Sequence, residues 1–209
     1  NRKTTIKTRV IARDQHVIRI DSEERKPIDK ETEDKIIGLV KNKIKEVGSV
    51  IISDYLKGVI TPALAQNIIK IAKENNVLSF VDSKGVDYKK YQNCNIVTMN
   101  AKELAWALHS PIQDKSQFFS GGKAILSDLL CDYALIKQGA RGMTLFSKSG
   151  DVSHCPVVNK TAVDVSGAGD TAVAIFALSL VAGASPKEAI ELASHACGIV
   201  VGKVGTATA

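Results

Sequence analysis

The segment Asp164-Val165-Ser166-Gly167-Ala168-Gly169-Asp170 combines the residue types for anion binding with a proton acceptor. It lies between a short extended stretch and the most apolar helical run of the chain, so it reads as a strand, a glycine turn and a helix N-terminus. Gly167 and Gly169 let the backbone approach a ligand closely. The N–H groups of a first helical turn have no partner within the helix, and with the helix dipole they favour bound negative charge. Asp170, in that turn, is placed to take a proton from a hydroxyl beside a bound phosphate. A plainer reading keeps the glycines as a tight turn and Asp170 as a complement to the helix dipole.

A sharper rival is dinucleotide binding, because Gly167-Ala-Gly169-Asp-Thr-Ala172 also fits G-x-G-x-x-G/A. That motif opens a domain and is followed about 20 residues later by a strand ending in an acid that takes the ribose. Here a capped helix follows instead, and an Asp directly after the second glycine would repel a pyrophosphate. The sequence holds no G-x-x-x-x-G-K-[ST] loop and no protein-kinase catalytic loop, so phosphoryl transfer here belongs to neither of those classes.

The elements that must position this segment follow from hydrophobic pattern and turn chemistry. Thr5 to Ala12 and Val17 to Ile20 read as a hairpin turning at Arg13-Asp-Gln-His16. Ile36, Ile37, Val40, Ile44 and Val47 share one helical face, and Gly48 stops that helix. Strands are then expected at 49–52, 77–81, 96–98, 133–136, 143–146 and 152–155. The helices between them run from Thr61-Pro62 to about Asn75, over 101–108 and over 115–130. Short apolar strands alternating with helices predict an α/β fold, a parallel sheet covered on both faces. Two helices close the chain. The run 170–181 is apolar nearly all round and is expected to be buried, and Ser185-Pro-Lys-Glu188 is a capping box that opens the second.

With 209 residues, 44% hydrophobic and 24% charged, the chain can bury one sizeable core. The net charge of +6 comes mostly from Arg2, Lys3, Lys7, Arg9 and Arg13, and with 5% aromatics this argues against a nucleic-acid face. No apolar run reaches the roughly 18 residues of a membrane span, and the start lacks a secretory pattern, so a cytoplasmic location and no membrane partner are expected. Cys94, Cys131, Cys155 and Cys197 have no metal-ligand spacing and are expected to be reduced and mostly buried. The four histidines, His16, His109, His154 and His195, build no triad or metal site by spacing.

Asp164 to Asp170 resembles the D-T/V-x-G-A-G-D signature of the ribokinase-like (PfkB) carbohydrate kinases. Asn100-Ala-Lys-Glu103 is similar to that family's N-x-x-E motif, and Ile136-Lys-Gln-Gly-Ala-Arg-Gly142 to its nucleotide-binding strand and turn. The segments Thr4 to Ile11, Ile52-Ser-Asp-Tyr-Leu-Lys-Gly58 and Val200 to Thr206 resemble more narrowly the heptose branch, the kinase domain of the bifunctional ADP-heptose synthesis proteins. The resemblance implies a three-layer α/β/α ribokinase-like fold. It also implies ATP and Mg²⁺ as cofactors and a sugar phosphate as small-molecule partner. The transfer would go to the anomeric hydroxyl of D-glycero-D-manno-heptose 7-phosphate, for lipopolysaccharide core assembly. Another PfkB sugar or nucleoside substrate, or a non-catalytic nucleotide-binding piece, are the alternatives.

Carried onto this sequence, Asp170 is the implied base, and Gly167, Ala168 and Gly169 supply the anion hole. Asn100 and Glu103 are implied to organise Mg²⁺ indirectly, through water; their residue types fit an N-cap and capping-box partner equally well. Lys137, Gly139 and Gly142 are implied on the nucleotide side, and Lys203 and Gly205, within Val201 to Thr206, near the adenine. Asp54, Tyr55 and Lys57 follow a strand end, where ligands gather in open parallel sheets, and Lys57 is a candidate for a sugar phosphate or a solvated loop residue. Lys7 and Arg9 either meet the 7-phosphate or protect an edge strand.

Whole members of the family carry a further N-terminal part with glycine-rich sugar-binding motifs and the first strands of the sheet. The 209 residues correspond to the C-terminal two-thirds, a hairpin over 1–22 and a nucleotide-binding core over 23–209. They contain no H-x-G-H adenylyltransferase motif. A homodimer is implied for the full-length protein. Ser166 and Ser83 stand where the branch commonly has Thr and Pro.

Overall fold

The computed structural model describes residues 2–12, 15–158, 162–203, 205 and 207–209. Arg13 and Asp14 of the hairpin turn, and Val204 and Thr206 of the expected adenine border, lie outside the described residues. Strands β1 (Ile6–Ala12) and β2 (Gln15–Ser22) form the antiparallel hairpin. The remaining strands, β3 (Ser49–Ser53), β4 (Leu78–Asp82), β5 (Ile96–Asn100), β6 (Tyr133–Lys137), β7 (Met143–Ser147) and β8 (Val152–Cys155), form one sheet in chain order.

Helices α1 (Lys30–Lys43), α2 (Pro62–Glu74), α3 (Ala101–Ala107) and α4 (Lys115–Leu129) connect the first four strands of this sheet or lead into it, and α5 (Ala168–Val181) and α6 (Pro186–Val201) close the chain. Every long helix except α5 starts where a side chain can accept the free N–H groups of its first turn. Asp29 caps α1, Thr61 α2, Asp114 α4 and Ser185 α6.

Alternation along the strands sorts the core into two layers. Val81, Val97, Met99, Ala134, Ile136 and Phe146 pack under α1, α2 and α4. Their neighbours Phe80, Ile96, Leu135, Met143 and Leu145 face α5 and α6. The Phe80 and Phe176 rings meet edge to face at 6.0 Å on that second side. The result is the expected three-layer α/β/α arrangement.

Two details depart from the sequence reading. β3 to β6 are parallel, but β7 and β8 are antiparallel additions. The turns before them, at Gly139–Arg141 and around Gly150, are too short to hold the crossover a parallel strand needs. α5 is not buried all round. Ala172, Val173, Phe176 and Ala177 are buried, whereas Leu178 is 64% exposed on the side away from the sheet and α6.

Candidate active site

The parallel strands all release the chain at one edge of the sheet, so the residues at their C-terminal ends converge. Ser53, Asp82 and Thr98 are register partners across β3, β4 and β5, and Asn100 pairs with Lys137 across β5 and β6. The N-terminus of α5 faces the same edge. Together they line an open cleft of about 1650 Å³ that holds Tyr55, Asp82, Lys84, Asn100, Glu103, Lys137, Gly139, Gly142, Ala168, Gly169 and Asp170.

Gly167 is the N-cap of α5 at φ +82°, a left-handed conformation that a glycine adopts without strain. Among the described residues no side chain caps this helix, in contrast to α1, α2, α4 and α6. The Ala168 N–H turns back to the Val165 carbonyl at 3.3 Å, and among the described residues no side chain accepts from the other N–H groups of the first turn, which suits them to an anion or water. Asp164 shapes the approach: its Oδ1 accepts from Ser166 N at 2.9 Å and its Oδ2 from Gly205 N at 3.1 Å. The Cys197 thiol donates to the Ala168 carbonyl at 3.2 Å, and burial pushes its pKa up to about 11.

The Asp170 carboxylate is exposed and accepts the Tyr55 hydroxyl at 3.1 and 3.2 Å. Burial, then the charge and hydrogen bond of Asp170, raise the Tyr55 pKa. A hydroxyl is thus already seated on the carboxylate that the sequence assigns as base. The Lys84 ammonium lies 5.1 Å from the centre of the Tyr55 ring.

Asn100 and Glu103 form the capping box of α3 in full. Asn100 Oδ1 accepts from the N–H groups of Lys102 and Glu103, and Glu103 Oε2 accepts from Asn100 N at 2.6 Å. Three of their side-chain lone-pair directions are thereby occupied, and Glu103 Oε1 is left 3.5 Å from Lys84 Nζ. Gly142, at φ +87°, has no room for a side chain, because a Cβ would fall 2.1 Å from the Cys155 carbonyl.

The sequence reading missed Asp82 and Lys84. Asp82 is 2% exposed, yet its carboxylate takes Lys137 Nζ at 2.7 Å, Thr98 Oγ1 at 2.7 Å and Lys84 Nζ at 2.9 Å. Burial opposes its charge, but the Lys137 charge and hydrogen bond, then Thr98 and Lys84, hold its pKa below the ordinary 3.8. Burial likewise opposes the Lys84 ammonium, and Asp82, then Glu103, outweigh it and raise that pKa. The signal was present in the sequence: Asp82-Ser-Lys84 ends an apolar strand, the same position that drew attention to Asp54.

A carboxylate with a lower pKa in the folded chain contributes its full stabilisation above the unfolded value and loses it as pH falls through the folded one. Thermal melts above and below pH 3.8 should therefore show the chain losing stability on acidification, and Asp82→Asn should lose less. An unchanged acid dependence in Asp82→Asn would count against this pairing.

The four sugar-side candidates lie apart from the cleft. Asp54 is buried and takes Leu56 N at 2.7 Å, the Tyr91 hydroxyl, whose pKa burial and then Asp54 raise, and Lys90 Nζ at 2.8 Å. Lys57 pairs with Glu23 and Lys7 with Asp21, while Arg9 faces Arg19 across the hairpin. Lys203 reaches the Thr208 carbonyl and, like Gly205, does not line the cleft; Val201 does.

Comparison with known proteins places this geometry. Residues 1–209 match the pfkB family carbohydrate kinase description. The chain belongs to the pfkB family. The pfkB chain is 41% identical over 207 residues to the "Bifunctional protein HldE" of Geobacter metallireducens, covering 99% of the chain and 42% of that protein. It is 36% identical over 208 residues to the HldE protein of Helicobacter pylori strain J99, covering 100% of the chain and 45% of that protein. The chain thus spans less than half the length of these relatives.

Among solved structures, the ribokinase of Arabidopsis thaliana complexed with ribose and ATP superposes with a TM-score of 0.73. It is 22% identical, with 92% of this chain and 62% of that one covered. Phosphofructokinase-2 of Escherichia coli superposes with a TM-score of 0.77 at 17% identity, with 91% and 62% covered. These likenesses establish the ribokinase-like fold.

The family implies ATP and Mg²⁺. Asn100 Oδ1 and Glu103 Oε2 are held by backbone N–H groups and Glu103 Oε1 lies 3.5 Å from Lys84 Nζ, so any part of this pair in holding Mg²⁺ would be through water. Among the described residues no group of three or more His, Cys, Asp and Glu side chains is set to bind a metal directly.

Proposed function

We propose that the pfkB chain is the nucleotide-binding and catalytic part of an ATP-dependent sugar kinase acting on D-glycero-D-manno-heptose 7-phosphate. One observation carries the reading: a carboxylate, Asp170, lies in the first turn of an uncapped helix and already holds a hydroxyl, that of Tyr55. The anomeric hydroxyl of a sugar in that position would meet Asp170 beside the first turn of α5. Asp170 takes the proton as the sugar oxygen bonds to the γ-phosphorus, and the bond to the β–γ bridging oxygen breaks to release ADP. The N–H groups around Gly167, Ala168 and Gly169 stabilise charge on the transferring group.

ATP would lie along the cleft past Lys137, Gly139 and Gly142, with Val201 toward the base. Mg²⁺ would be held through water by Glu103, with Asn100 fixing that side chain, and would supply charge neutralisation for the phosphates. The heptose phosphate is favoured over other sugars by the HldE relatives. The intact protein is read as cytoplasmic and homodimeric, with 1–22 as the hairpin and 23–209 as the core. One face of the hairpin leaves Ile6, Val10, Ile18 and Ile20 exposed, which supports a partner surface there.

The test is a panel of sugars and sugar phosphates given to the intact protein with Mg-ATP and assayed for transfer. Turnover with heptose 7-phosphate well above fructose phosphate, ribose or a nucleoside is the expected result; turnover with none of them rejects the reading. A second reading, a nucleotide-binding module without turnover, is favoured for this chain alone by the placement of Asp54, Lys57, Lys7 and Arg9 outside the cleft. Calorimetric binding of Mg-ATP with no transfer on adding sugar supports it.

A further inference from the structure

The groups around the cleft mouth form a closed circuit. Asp170 holds Tyr55, and the Tyr55 ring carries the Lys84 ammonium. Lys84 and Lys137 both bind Asp82, and Lys137 returns to the start: a Cβ on Gly169 would lie 3.7 Å from its Nζ. Two ammonium groups, one just past β4 and one at the end of β6, therefore stand on either side of one buried carboxylate, one beside Glu103 and one over the glycine turn.

We propose that Lys84 and Lys137 are a pair of phosphate-binding cations for the terminal phosphates of a nucleoside triphosphate, and that Asp82 is the residue that positions both. The inference rests on the nucleotide-dependent transfer proposed above and deepens it. Asp82 itself is 2% exposed at the end of β4 and cannot reach a ligand past the lysines that cover it. The lysine side chains are 26% and 14% exposed and line the cleft, so their remaining N–H bonds are open to an incoming anion. The two lysines are balanced by Asp82 and Glu103, and Thr98 fixes the Asp82 carboxylate, so the free ammonium N–H bonds have their aim set before any phosphate arrives. Glu103 takes the second side of Lys84, which limits that ammonium to the arc between the α3 turn and Tyr55. Without Asp82 the two long side chains would separate by mutual repulsion and bind phosphate in many orientations.

The circuit predicts different signatures for the anchor and for the cations. In the full-length protein, Lys84→Met and Lys137→Met should each weaken Mg-ATP binding by about tenfold or more, while AMP, which lacks the terminal phosphates, changes by less than about twofold. Asp82→Asn should keep Mg-ATP affinity within about threefold and lower kcat by at least about tenfold, because the cations remain but lose their aim.

Calorimetry with Mg-ATP and AMP, steady-state kinetics and a thermal melt of each variant read these out. Lysine variants that bind Mg-ATP like the wild type overturn the proposal, as do variants that lose AMP and Mg-ATP equally. An Asp82→Asn protein with unchanged kcat overturns the positioning role. If that variant does not fold, the two lysine variants decide. A wild type that binds Mg-ATP but transfers to no sugar rejects the sugar-kinase reading alone, and the binding comparison still decides the lysines. A wild type that does not bind Mg-ATP overturns both.

Discussion

Asp170→Asn in the intact protein is expected to lower kcat by roughly 10² to 10⁴ while leaving Mg-ATP affinity nearly intact. Asn is the same size as Asp and can still accept the Tyr55 hydroxyl through its amide oxygen, so the turn and the α5 N-terminus should keep their shape. What it cannot do is take the proton from the acceptor hydroxyl. Removing a negative charge next to the incoming phosphates also takes away a repulsion, so binding of the nucleotide should hold or tighten slightly. Near-normal kcat would remove Asp170 from the chemistry and leave it as a complement to the helix dipole. Steady-state kinetics and calorimetry on the same preparation separate these outcomes.

Gly169→Ala should divide stability from activity. Gly169 lies in the first turn of α5, and an added Cβ would meet only Lys137 Nζ, at an ordinary contact distance of 3.7 Å. Its φ is not in the left-handed region, so an Ala fits the backbone and, as the better helix former, stabilises the fold by up to about 1 kcal/mol. The same methyl would stand where a phosphoryl oxygen has to approach the first-turn N–H groups. Transfer is expected to fall by about 10² or more, the scale of losing one preorganised donor. Gly167 offers no such separation, because at φ +82° an Ala would strain the turn itself. A thermal melt with a transfer assay measures the Gly169 effect; equal activity with higher stability would show that the phosphate does not pass that way.

What the sequence disclosed, it disclosed through local chemistry. The glycine turn, Asp170 and the Asn100–Glu103 spacing each lie within seven residues, and a single turn or cap expresses them, so the residue types alone were informative. The helix caps at Thr61 and Ser185 were legible for the same reason. Of the Asp82 cluster only the strand-end position of Asp82 and Lys84 was legible; its pairing with Lys137 was not, because Lys137 is 55 positions away and meets Asp82 only once β5 lies between β4 and β6. Nor was the Tyr55 contact with Asp170, a separation of 115 positions.

The sugar-side candidates show what residue type and position leave out. Asp54 and Lys57 follow a strand end and Lys7 lies on one face of the first hairpin strand. The fold nevertheless gives Lys7 to Asp21, Lys57 to Glu23 and Asp54 to Tyr91 and Lys90. A basic or acidic residue in a pattern does not reveal whether a partner elsewhere in the chain already holds it. Similarly, the apolar run of α5 signalled burial, but not that one side of the helix would expose Leu178.

The most direct measurement is a single-turnover experiment, with the intact protein in excess over Mg-ATP and heptose 7-phosphate present, comparing wild type with Asp170→Asn. Single turnover isolates the transfer step from product release. The wild type should form ADP and a doubly phosphorylated sugar, with the new phosphate on the anomeric carbon by ³¹P NMR. The variant should form the same product more slowly by roughly 10² to 10⁴. Equal single-turnover rates, or no sugar product from the wild type, would contradict the account.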